Sequence, residues 1–563
     1  MTTSKPVHES SQDSLPSGKN EPNRMSPWAL ISISLGITLG VSFVAGIVQW
    51  LQEEKTRLLF IGLDGMCFYL AFGFSTFVAI GIGVAYFRPS KRLILMSVAL
   101  ISTAYYGFSS LVKIDGYFGN RTPRYTWVWT PKAEDEIKTY FTSRTTFELP
   151  VPAEDLFLPG EGDSPELLGT GRSGKVPHLN LASNWEDRQP ELLWRHPVGL
   201  GWSGFSIVGN GAVNLEQREE KECVVCYDLQ SGRELWCHGE NVRFNHEHGD
   251  GPRTTPTIHK GRVYSFGATG ILTCVDFKTG CLVWKQSSFL DPEKENLMFG
   301  MSGSPLVVND MVIVTPGAGL GASAIAYSID TGSEAWRCGD DPASYASPVA
   351  VSLCDRNQIL SFNGAGLRSY SELGQDLWLQ PWVTQGDSRV NVAQPIVLAG
   401  SDIYQSIGTE GSDSQWAKVL ISSGYDKGTA LLKITRTGDQ WTSEVVWESK
   451  QLKSKLSNFV VYDNHAYGLD NGILTCIGLK DGERVWKRGR YGHGKILLVH
   501  DKLLIQAESG EIVMVAATPT LHLELAKFEA LSSKTWNNHA LAGDILVVRN
   551  DREAAAIRLP VTD

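Results

Sequence analysis

The stretch YDLQSGRELW, from Tyr227 to Trp236, ends in a tryptophan that lies four positions after Gly232. The same arrangement recurs downstream in VDFKTGCLVW, YSIDTGSEAW, YSELGQDLW and IGLKDGERVW, which end at Trp284, Trp336, Trp378 and Trp486. Two weaker copies, LLKITRTGDQWTSEVVW and LLWRHPVG, contain Trp447 and Trp194. The spacings are roughly 40 to 50 residues, with one of about 70, and such a period is typical of repeat architectures. The stretch is therefore one copy of a unit that fills most of the chain.

Length and composition narrow the class of protein. With 563 residues the chain is too long for one ordinary core, and the recurring unit favours a repeat array. Its net charge is −10 and the repeat region has no run of Lys and Arg, so nucleic acid is not an expected partner. The 56 glycines and 17 tryptophans suit many short strands joined by turns.

The first hundred residues differ from the rest. Three apolar runs, Trp28 to Trp50, Leu58 to Phe87 and Leu93 to Val112, are each long enough to cross about 30 Å of hydrocarbon. They predict a three-helix membrane anchor over residues 26–113, after a disordered tail at residues 1–25. The first run follows a polar tail and is too long for a cleaved signal peptide, so it is expected to remain as an anchor.

Basic residues set the expected orientation. Lys5, Lys19 and Arg24 precede the first run, and Arg88, Lys91 and Arg92 lie between the second and third. The positive-inside rule then places the tail in the cytoplasm and everything after Val112 outside the inner membrane, in the periplasm. Asp64 is either an intramembrane carboxylate with a function or a residue at the outer interface, and the second reading is favoured because Gly65 to Phe87 alone suffices to cross.

The chain after the anchor divides into a linker and a repeat region. Residues 114–180 contain RYTWVWTPKAEDEIKTYF, which indicates a short helix, followed by a Pro-, Gly- and acid-rich stretch without periodicity, as in a stalk. From Leu181 onward, short apolar runs alternate with turn residues, as in GRVYSFGATGILTCVDFKTGCLVW. That stretch reads as three strands with their turns.

Repeats of this kind predict an all-β propeller. A unit of about 45 residues with four short antiparallel strands cannot bury its own faces, and radial stacking leaves only short, protected edges. The expected blades end near Trp236, Trp284, Trp336, Trp378, Trp447, Trp486 and Phe528. The remaining WNNHALAGDILVVRNDREAAAIRLP supplies three more strands, and ELLWRHPV from the start of the region supplies a fourth. Residues 181–563 are thus expected to form eight blades, with seven as the alternative.

The recurring tryptophan and glycine have structural explanations. A large flat ring on the outer strand fills the wedge that opens between blades away from the axis. The glycine four residues earlier suits a tight turn with a positive φ. Both are therefore expected to be part of the architecture.

The unit D-x-x-T-G-x-x-x-W, at Asp276, Thr279, Gly280 and Trp284, resembles the repeat of the pyrroloquinoline-quinone-like (quinoprotein-like) propellers. This superfamily includes quinoprotein alcohol and glucose dehydrogenases and the propeller lipoprotein of outer-membrane protein assembly. The stretches WRHPVGLGWSGF, GPRTTPTIHKGRVYSFGATGILTC and RYGHGKILLVHDKLLIQAESGEIV are most similar to membrane-anchored bacterial members. The resemblance covers residues 181–563 and implies the fold more strongly than an activity, since one fold carries many functions.

Loops before the innermost strands are expected to ring the axial funnel, and in this chain they are polar and aromatic. Converging donors and acceptors beside aromatic rings suit a small-molecule site, whereas the structural alternative is a solvated funnel mouth built from turn residues. The candidate ligand-binding residues are Trp202, Arg253, Thr255, Ser302, Tyr345, Asn391, Gln394, Asn458, Tyr491, His493, Asn538 and His539.

Metal and thiol chemistry are not expected. The stretch FNHEHGDGPR groups His246, Glu247, His248 and Asp250, but an irregular loop does not fix ligand geometry, and no metal site is predicted. Cys226, Cys274 and Cys476 occupy equivalent strand positions in different blades, too far apart to form disulfides with one another, and are expected to be small buried residues. Cys223 and Cys226 should face opposite sides of one strand.

Two functions remain. A quinoprotein dehydrogenase, as the resemblance implies, needs a calcium-bound quinone, a catalytic aspartate and usually a vicinal cysteine pair. This chain has no Cys-Cys pair and no C-x-x-C-H, and acidic residues are sparse in the funnel loops. We therefore expect no catalytic residues and no cofactor. The favoured function is a non-catalytic platform that binds a protein or an envelope polymer through its funnel face or blade edges.

The alternative is an enzyme. Membrane-bound glucose dehydrogenases also join amino-terminal helices to an exported propeller. An enzyme of that type would use pyrroloquinoline quinone with calcium to oxidise an alcohol or a sugar and would pass electrons to membrane quinone. Only this layout is shared, and the sequence cannot identify a ligand.

Overall fold

The computed structural model describes residues 111–143, 154–289, 296–317, 322–384, 389–398, 407–409 and 414–562. The predicted tail, the first two predicted spans at 28–50 and 58–87, and Asp64 lie outside these residues. Only Leu111 and Val112 of the third span lie within them. Among the described residues, no helix combines the length and apolar character needed to cross a membrane.

The chain forms two compact units. One contains Met1–Asp115 and Tyr125–Thr130, and the other contains Gly116–Arg124 and Pro131–Asp563. Strands β1 (Val112–Tyr117) and β2 (Pro123–Trp127) pair as a hairpin, and helix α1 (Ala133–Ser143) follows. Short 3₁₀ turns lie at Glu154–Phe157 and Thr170–Arg172.

The rest of the second unit is built from strands of two to ten residues. The bounds of the first half are β3 Lys175–Val176, β4 Glu191–Pro197, β5 Ser206–Val208, β6 Gly211–Arg218, β7 Lys221–Asp228, β8 Glu234–Glu240, β9 Thr257–His259, β10 Arg262–Phe266, β11 Ile271–Asp276, β12 Leu282–Ser287, β13 Leu306–Val308, β14 Met311–Val314, β15 Ala324–Ser328, β16 Glu334–Cys338, β17 Val349–Leu353, β18 Arg356–Phe362, β19 Gly366–Ser371 and β20 Asp376–Pro381. The bounds of the second half are β21 Ile396–Val397, β22 Ile407–Thr409, β23 Ser414–Ser423, β24 Gly428–Thr437, β25 Gln440–Ser449, β26 Ser454–Tyr462, β27 His465–Asp470, β28 Ile473–Gly478, β29 Arg484–Arg490, β30 Lys495–Val499, β31 Lys502–Gln506, β32 Glu511–Ala516, β33 Glu524–Glu529, β34 Ala540–Ala542, β35 Ile545–Arg549 and β36 Glu553–Arg558.

These strands form an eight-bladed propeller in the part of the chain that the structure describes. Seven blades follow the chain: β5–β8, β9–β12, β13–β16, β17–β20, β21–β25, β26–β29 and β30–β33. The closing blade contains β34, β35 and β36 with β4 at its outer edge. The prediction of eight blades, closed by strands from both ends of the repeat region, is confirmed.

The closing blade joins the two ends in register. Strand β4 pairs antiparallel with β36, and Trp194 lies opposite Ala556. The other blade-ending tryptophans pair in the same way with a residue on the third strand, as Trp236 does with Cys226. Because these paired residues are mostly small, the indole can lie flat over the sheet.

Six of the seven blade-ending tryptophans also contact the next blade. The Nε1–H of Trp284 donates to the carbonyl oxygen of Ile329 at 3.0 Å, and the ring covers the backbone of Gly332. Equivalent bonds link Trp194 to Leu229, Trp236 to Phe277, Trp336 to Glu372, Trp447 to Leu479 and Trp486 to Thr518, at 2.8–3.1 Å. The tryptophan packs between blades as expected, and it also anchors the turn of its neighbour through a hydrogen bond that is buried or part-buried.

Trp378 is the exception. Its Nε1–H donates to the side chain of Gln358 in the same blade, at 2.9 Å. The next blade has ten-residue strands β23–β25, and its turn glycine, Gly438, has nothing within 4 Å of the position of an added Cβ. The longer hairpin carries this turn beyond the indole of the preceding blade.

Residues 164–176, here called the axial segment, run along the ends of the innermost strands. Backbone hydrogen bonds tie this segment to β5 through Ser164 and Ile207 and to β30 through Gly174 and Leu498. Arg172 is buried and donates to the carbonyl oxygens of Ser304, Pro305 and Pro348, which precede two further innermost strands. Part of the predicted stalk, 114–180, therefore packs against the propeller.

The cysteines take the positions that the strand pattern predicts. Cys226, Cys274 and Cys476 lie opposite Trp236, Trp284 and Trp486, and all three are fully buried. Cys223 packs in a different core cluster from Cys226, as expected for opposite faces of β7. None of the eight cysteines in the described residues is in a disulfide.

The indole contact can be tested by comparing two glycines with the same backbone conformation. Gly332 (φ +69°) would place an added Cβ 2.6 Å from the ring of Trp284, whereas Gly438 (φ +61°) would meet nothing. We expect Gly438→Ala to cost about 1 kcal/mol for the left-handed backbone alone, and Gly332→Ala to cost about 1–3 kcal/mol more. Thermal unfolding of the two variants checks this. Equal melting temperatures would contradict the role of the indole.

Candidate functional site

A cavity of about 600 Å³ lies in the second unit, and its wall includes residues from several innermost-strand loops. Leu167 of the axial segment contributes to this wall. Tyr117, Phe118, Gly119 and Arg121, at the tip of the β1–β2 hairpin, also contribute. Segments that precede the propeller in sequence therefore complete its central cavity.

Seven of the twelve candidate residues line the cavity. They are Trp202, Arg253, Ser302, Tyr345, Gln394, Asn458 and Asn538. Six of them lie in loops that precede innermost strands, as the repeat pattern implies, and Asn458 lies within the innermost strand β26. Whether these side chains hold a ligand stays a prediction.

The other five candidates, Thr255, Asn391, Tyr491, His493 and His539, are buried and are not among the residues that line this cavity. The backbone N–H of Thr255 donates to the Ser304 hydroxyl. Asn391 donates to the carbonyl oxygen of Asn363 and accepts from the Ser423 hydroxyl. The hydroxyl of Tyr491 donates to Glu524 at 3.0 Å. Burial lowers the pKa of His539 to about 3, so this ring is neutral at pH 7.

Gly119, at the hairpin tip, is hydrogen-bonded through both its backbone N–H and its carbonyl oxygen. Its N–H donates to Glu508 at 2.7 Å, and its carbonyl oxygen accepts from Lys455 Nζ at 2.7 Å. Glu508 also accepts from the indole of Trp536 and from the N–H of His493. A Cβ on Gly119 would lie 2.3 Å from the His493 ring, so only glycine permits this approach. Burial lowers the pKa of His493 to about 4, which keeps the ring neutral at pH 7.

The cavity wall is cationic. Arg121, Arg253, Lys455 and Lys495 line it, and Glu247 is the one carboxylate among the lining residues. Within the described residues, none of these four cations has a carboxylate within ion-pair distance. The wall therefore concentrates positive charge in a chain whose net charge is −10.

Burial makes these cations costly. It lowers the pKa of Lys495 to about 8 and that of Arg253 to about 10. Lys495 Nζ donates to the carbonyl oxygen of Leu456, and Arg253 donates to that of Gly251. Carbonyl dipoles, together with the nearby carboxylates of Asp250 and Glu222 in the case of Arg253, compensate these charges only in part, so an anion in the cavity would be stabilised.

Aromatic rings cover much of the same wall. The rings of Trp202 and Trp536 lie 5.0 Å apart, and Lys534 Nζ lies over both. Phe299 contacts Tyr345, with ring centroids 5.6 Å apart. Such rings can pack against a planar or apolar group whose charged end faces the cations.

Gln394 adds an unused polar group. Its side chain is 4% exposed and lines the cavity, and neither amide atom has a hydrogen-bond partner among the described residues. A buried amide of this kind costs free energy unless it is paired. Gln394 is thus a polar group of the cavity wall that the described protein atoms leave unpaired.

The donor set does not fit a calcium-bound quinone. Ca²⁺ takes six to eight oxygen ligands, usually including carboxylates. The single wall carboxylate, Glu247, is 68% exposed and lies 3.5 Å from His248. The carboxylate of Asp250 instead pairs with Arg243 at 2.9 Å. Among the described residues, no three or more His, Cys, Asp or Glu side chains are grouped as a metal ion would require.

Several residues of the wall are not among the twelve candidates that the sequence indicates. Trp536 precedes Asn538 by two positions, Lys495 follows His493 by two, and Lys455 precedes Asn458 by three. Each lies beside a stretch already singled out, so a wider window around the loops would have included them. The hairpin tip carried no such signal, because its distance in sequence from the repeats hides its position in the fold.

Seating of the hairpin tip can be tested at Gly119. In Gly119→Ala the new methyl meets the His493 ring, and a clash of about 1.4 kcal/mol raises the open population about tenfold. We expect trypsin to cleave after Arg121 and Arg124 about tenfold faster. Asn120→Ser, at the exposed neighbouring position, keeps a side-chain acceptor for the Thr122 N–H and is the control, which should keep the slow rate. An unchanged rate in Gly119→Ala would show that the tip does not seat against His493.

Parts of the chain are similar in sequence to known proteins. Residues 220–488 match the sequence family described as "Outer membrane protein assembly factor BamB". Quinohemoprotein alcohol dehydrogenase ADH-IIG of Pseudomonas putida is 29% identical over 181 residues, which are 30% of this chain and 24% of that enzyme. The chain thus spans about a quarter of the curated relative that it matches.

Solved structures show similarity at lower identity. BamB from Moraxella catarrhalis is 13% identical with a TM-score of 0.45, over 66% of this chain and 100% of that one. The quinohemoprotein alcohol dehydrogenase of Comamonas testosteroni is 11% identical with a TM-score of 0.36, over 71% of this chain and 82% of that one. The strand pairings show an eight-bladed β-propeller, and the BamB family match covers residues 220–488 of it.

Proposed function

We propose that this protein is a membrane-anchored, non-catalytic binding module of the bacterial envelope, and that its propeller cavity receives an anionic group of a partner protein or envelope polymer. The observation that carries the proposal is the charge of the cavity wall, with four cations and one carboxylate. The membrane anchor and the periplasmic position of the propeller are supported by the three apolar runs and the basic residues that flank them.

An anionic ligand follows from the energetics of the wall. Arg253 and Lys495 stay in an environment that lowers their pKa, and Lys455 is shared between the hairpin tip and the cavity. A carboxylate or phosphate in the cavity would offset the desolvation of these cations and form charge-assisted hydrogen bonds. The aromatic wall suits an apolar body attached to that charge.

The alternative is a pyrroloquinoline-quinone-dependent dehydrogenase of the inner membrane. It is favoured by the identity of 29% with a quinohemoprotein alcohol dehydrogenase over part of the chain. The cavity wall disfavours it, because among the lining residues there is one exposed carboxylate, whereas Ca²⁺ needs a set of six to eight oxygen ligands. Titration with pyrroloquinoline quinone, with and without Ca²⁺, followed by dye-linked oxidation of alcohols and sugars, separates the two functions. Calcium-dependent binding with turnover would replace the binding module by an enzyme.

Anion binding can be tested with a planar probe. We expect the full chain in detergent micelles to bind naphthalene-2,6-dicarboxylate at least about tenfold more tightly than naphthalene-2,6-dimethanol, because one lost charged contact costs about 1.5–3 kcal/mol. Lys455→Gln should lower the affinity for the dicarboxylate alone. Lys260→Gln, which removes the same charge from an exposed position, is the matched control. Calorimetry measures both, and equal affinities for the two probes would contradict the proposal.

The pH dependence of the same titration tests Lys495. Its pKa of about 8 in the fold lies below the ordinary 10.5, so the ammonium that favours an anion is lost as pH rises through 8. We expect the affinity for the dicarboxylate to fall between pH 7 and 9 and to be flat over this range in Lys495→Met. The stability of the ligand-free protein changes in the opposite direction. Between pH 8 and 10.5 the Lys495 amine is protonated in the unfolded chain and neutral in the fold, so the free energy of unfolding rises with pH over this range. A flat profile in the wild type would rule out a role for Lys495.

A further inference from the structure

We infer that six side chains of the β1–β2 hairpin form a surface that inserts into the headgroup region of a lipid bilayer. This exposed hairpin cluster contains Leu111, Ile114, Tyr125, Trp127, Val128 and Trp129, and all six belong to the first compact unit. The inference rests on the membrane attachment in the proposed function and adds a second contact with the bilayer.

Exposure sets this hairpin apart. Tyr125 and Trp129 are each 64% exposed and Trp127 is 45% exposed, and they are the only large aromatic side chains in that state among the described residues. The described chain has eighteen exposed large hydrophobic side chains, and six of them fall between residues 111 and 129. Such a concentration on a soluble surface marks an interaction site.

The geometry presents the rings together. Tyr125 and Trp127 alternate on β2 and therefore point to one face of the hairpin. The indoles of Trp127 and Trp129 stack, with centroids 5.1 Å apart and an interplanar angle of 3°. Lys113 Nζ donates to the carbonyl oxygen of Thr130 at 2.7 Å and fixes the segment that follows. The side chains of the cluster are thus held in place although they are exposed.

A bilayer interface fits this chemistry. Tyr and Trp have an apolar ring and a polar tip, and both are enriched where hydrocarbon meets headgroups. The cluster also begins where the apolar run from Leu93 to Val112 ends, so the chain that emerges from a membrane span is already at the surface. No other face of the described chain combines exposed aromatics with this position in the sequence.

Charge points to anionic lipids. In sequence, Lys113 and Lys132 flank the cluster against Asp115, a net charge of +1 (two minus one) in a chain of net charge −10. Basic residues close to the bilayer are attracted to anionic headgroups, and the attraction decreases with added salt. A protein partner would need its own apolar face opposite the cluster. The lipid bilayer already provides an apolar region, so no further protein is required.

Photo-cross-linking tests the contact directly. A benzophenone side chain replaces Trp129 in the full chain, which is reconstituted into vesicles of phosphatidylglycerol and phosphatidylethanolamine. The control carries it at Leu373, which is 74% exposed on the propeller. We expect lipid adducts at position 129 to exceed those at 373 about tenfold, as for a residue held at the interface. The excess should decrease when phosphatidylcholine replaces phosphatidylglycerol.

Carbonate extraction of the same vesicles separates this inference from the anchor. Equal adduct yields at 129 and 373 in a chain that resists carbonate would overturn the bilayer contact and leave the anchor standing. Equal yields in a chain that carbonate removes would overturn both. Adducts at 129 to a protein instead of lipid, in native membranes, would assign the cluster to a protein partner and overturn the inference as well.

Discussion

The indole hydrogen bond between blades is the contact on which the rest of the structure depends. A blade of four short strands has no core of its own, and its stability comes from packing against its neighbours. Trp284 shows how the sequence secures that packing, since its ring covers the turn at Gly332 while its N–H donates to Ile329. Repetition of this contact around the ring places the innermost loops close to one another. The cavity is therefore a product of contacts made at the outer edge.

Much of the fold was predictable because these contacts are local and repeated. The spacing of Gly232 and Trp236 recurs in the chain, and each copy has the same reason to exist. The eighth blade was predictable because three strands without a fourth cannot close, and ELLWRHPV, with Trp194, completes them. The exception at Trp378 was not predictable, since it depends on the length of strands in the following blade.

The site was only partly predictable, for a different reason. Loops such as the one around Tyr345 recur in register with the blades, so their position near the axis follows from the repeat. Gly119 and Leu167 are placed by contacts across hundreds of residues, with Glu508 in the case of Gly119. No local pattern carries that information. The first two predicted spans and most of the third lie outside the described residues, and all three stay predictions.

The pairing of β4 with β36 also determines when the propeller can close during synthesis of the chain. Strand β4 leaves the ribosome hundreds of residues before its partner β36. It therefore stays unpaired until the strands of the closing blade have been synthesised. Arg172 waits as well, because its carbonyl acceptors at Ser304, Pro305 and Pro348 emerge later. A chain truncated by an early stop codon would therefore form an incomplete ring with unpaired strand edges at both ends. Such edges would expose the chain to quality-control proteases.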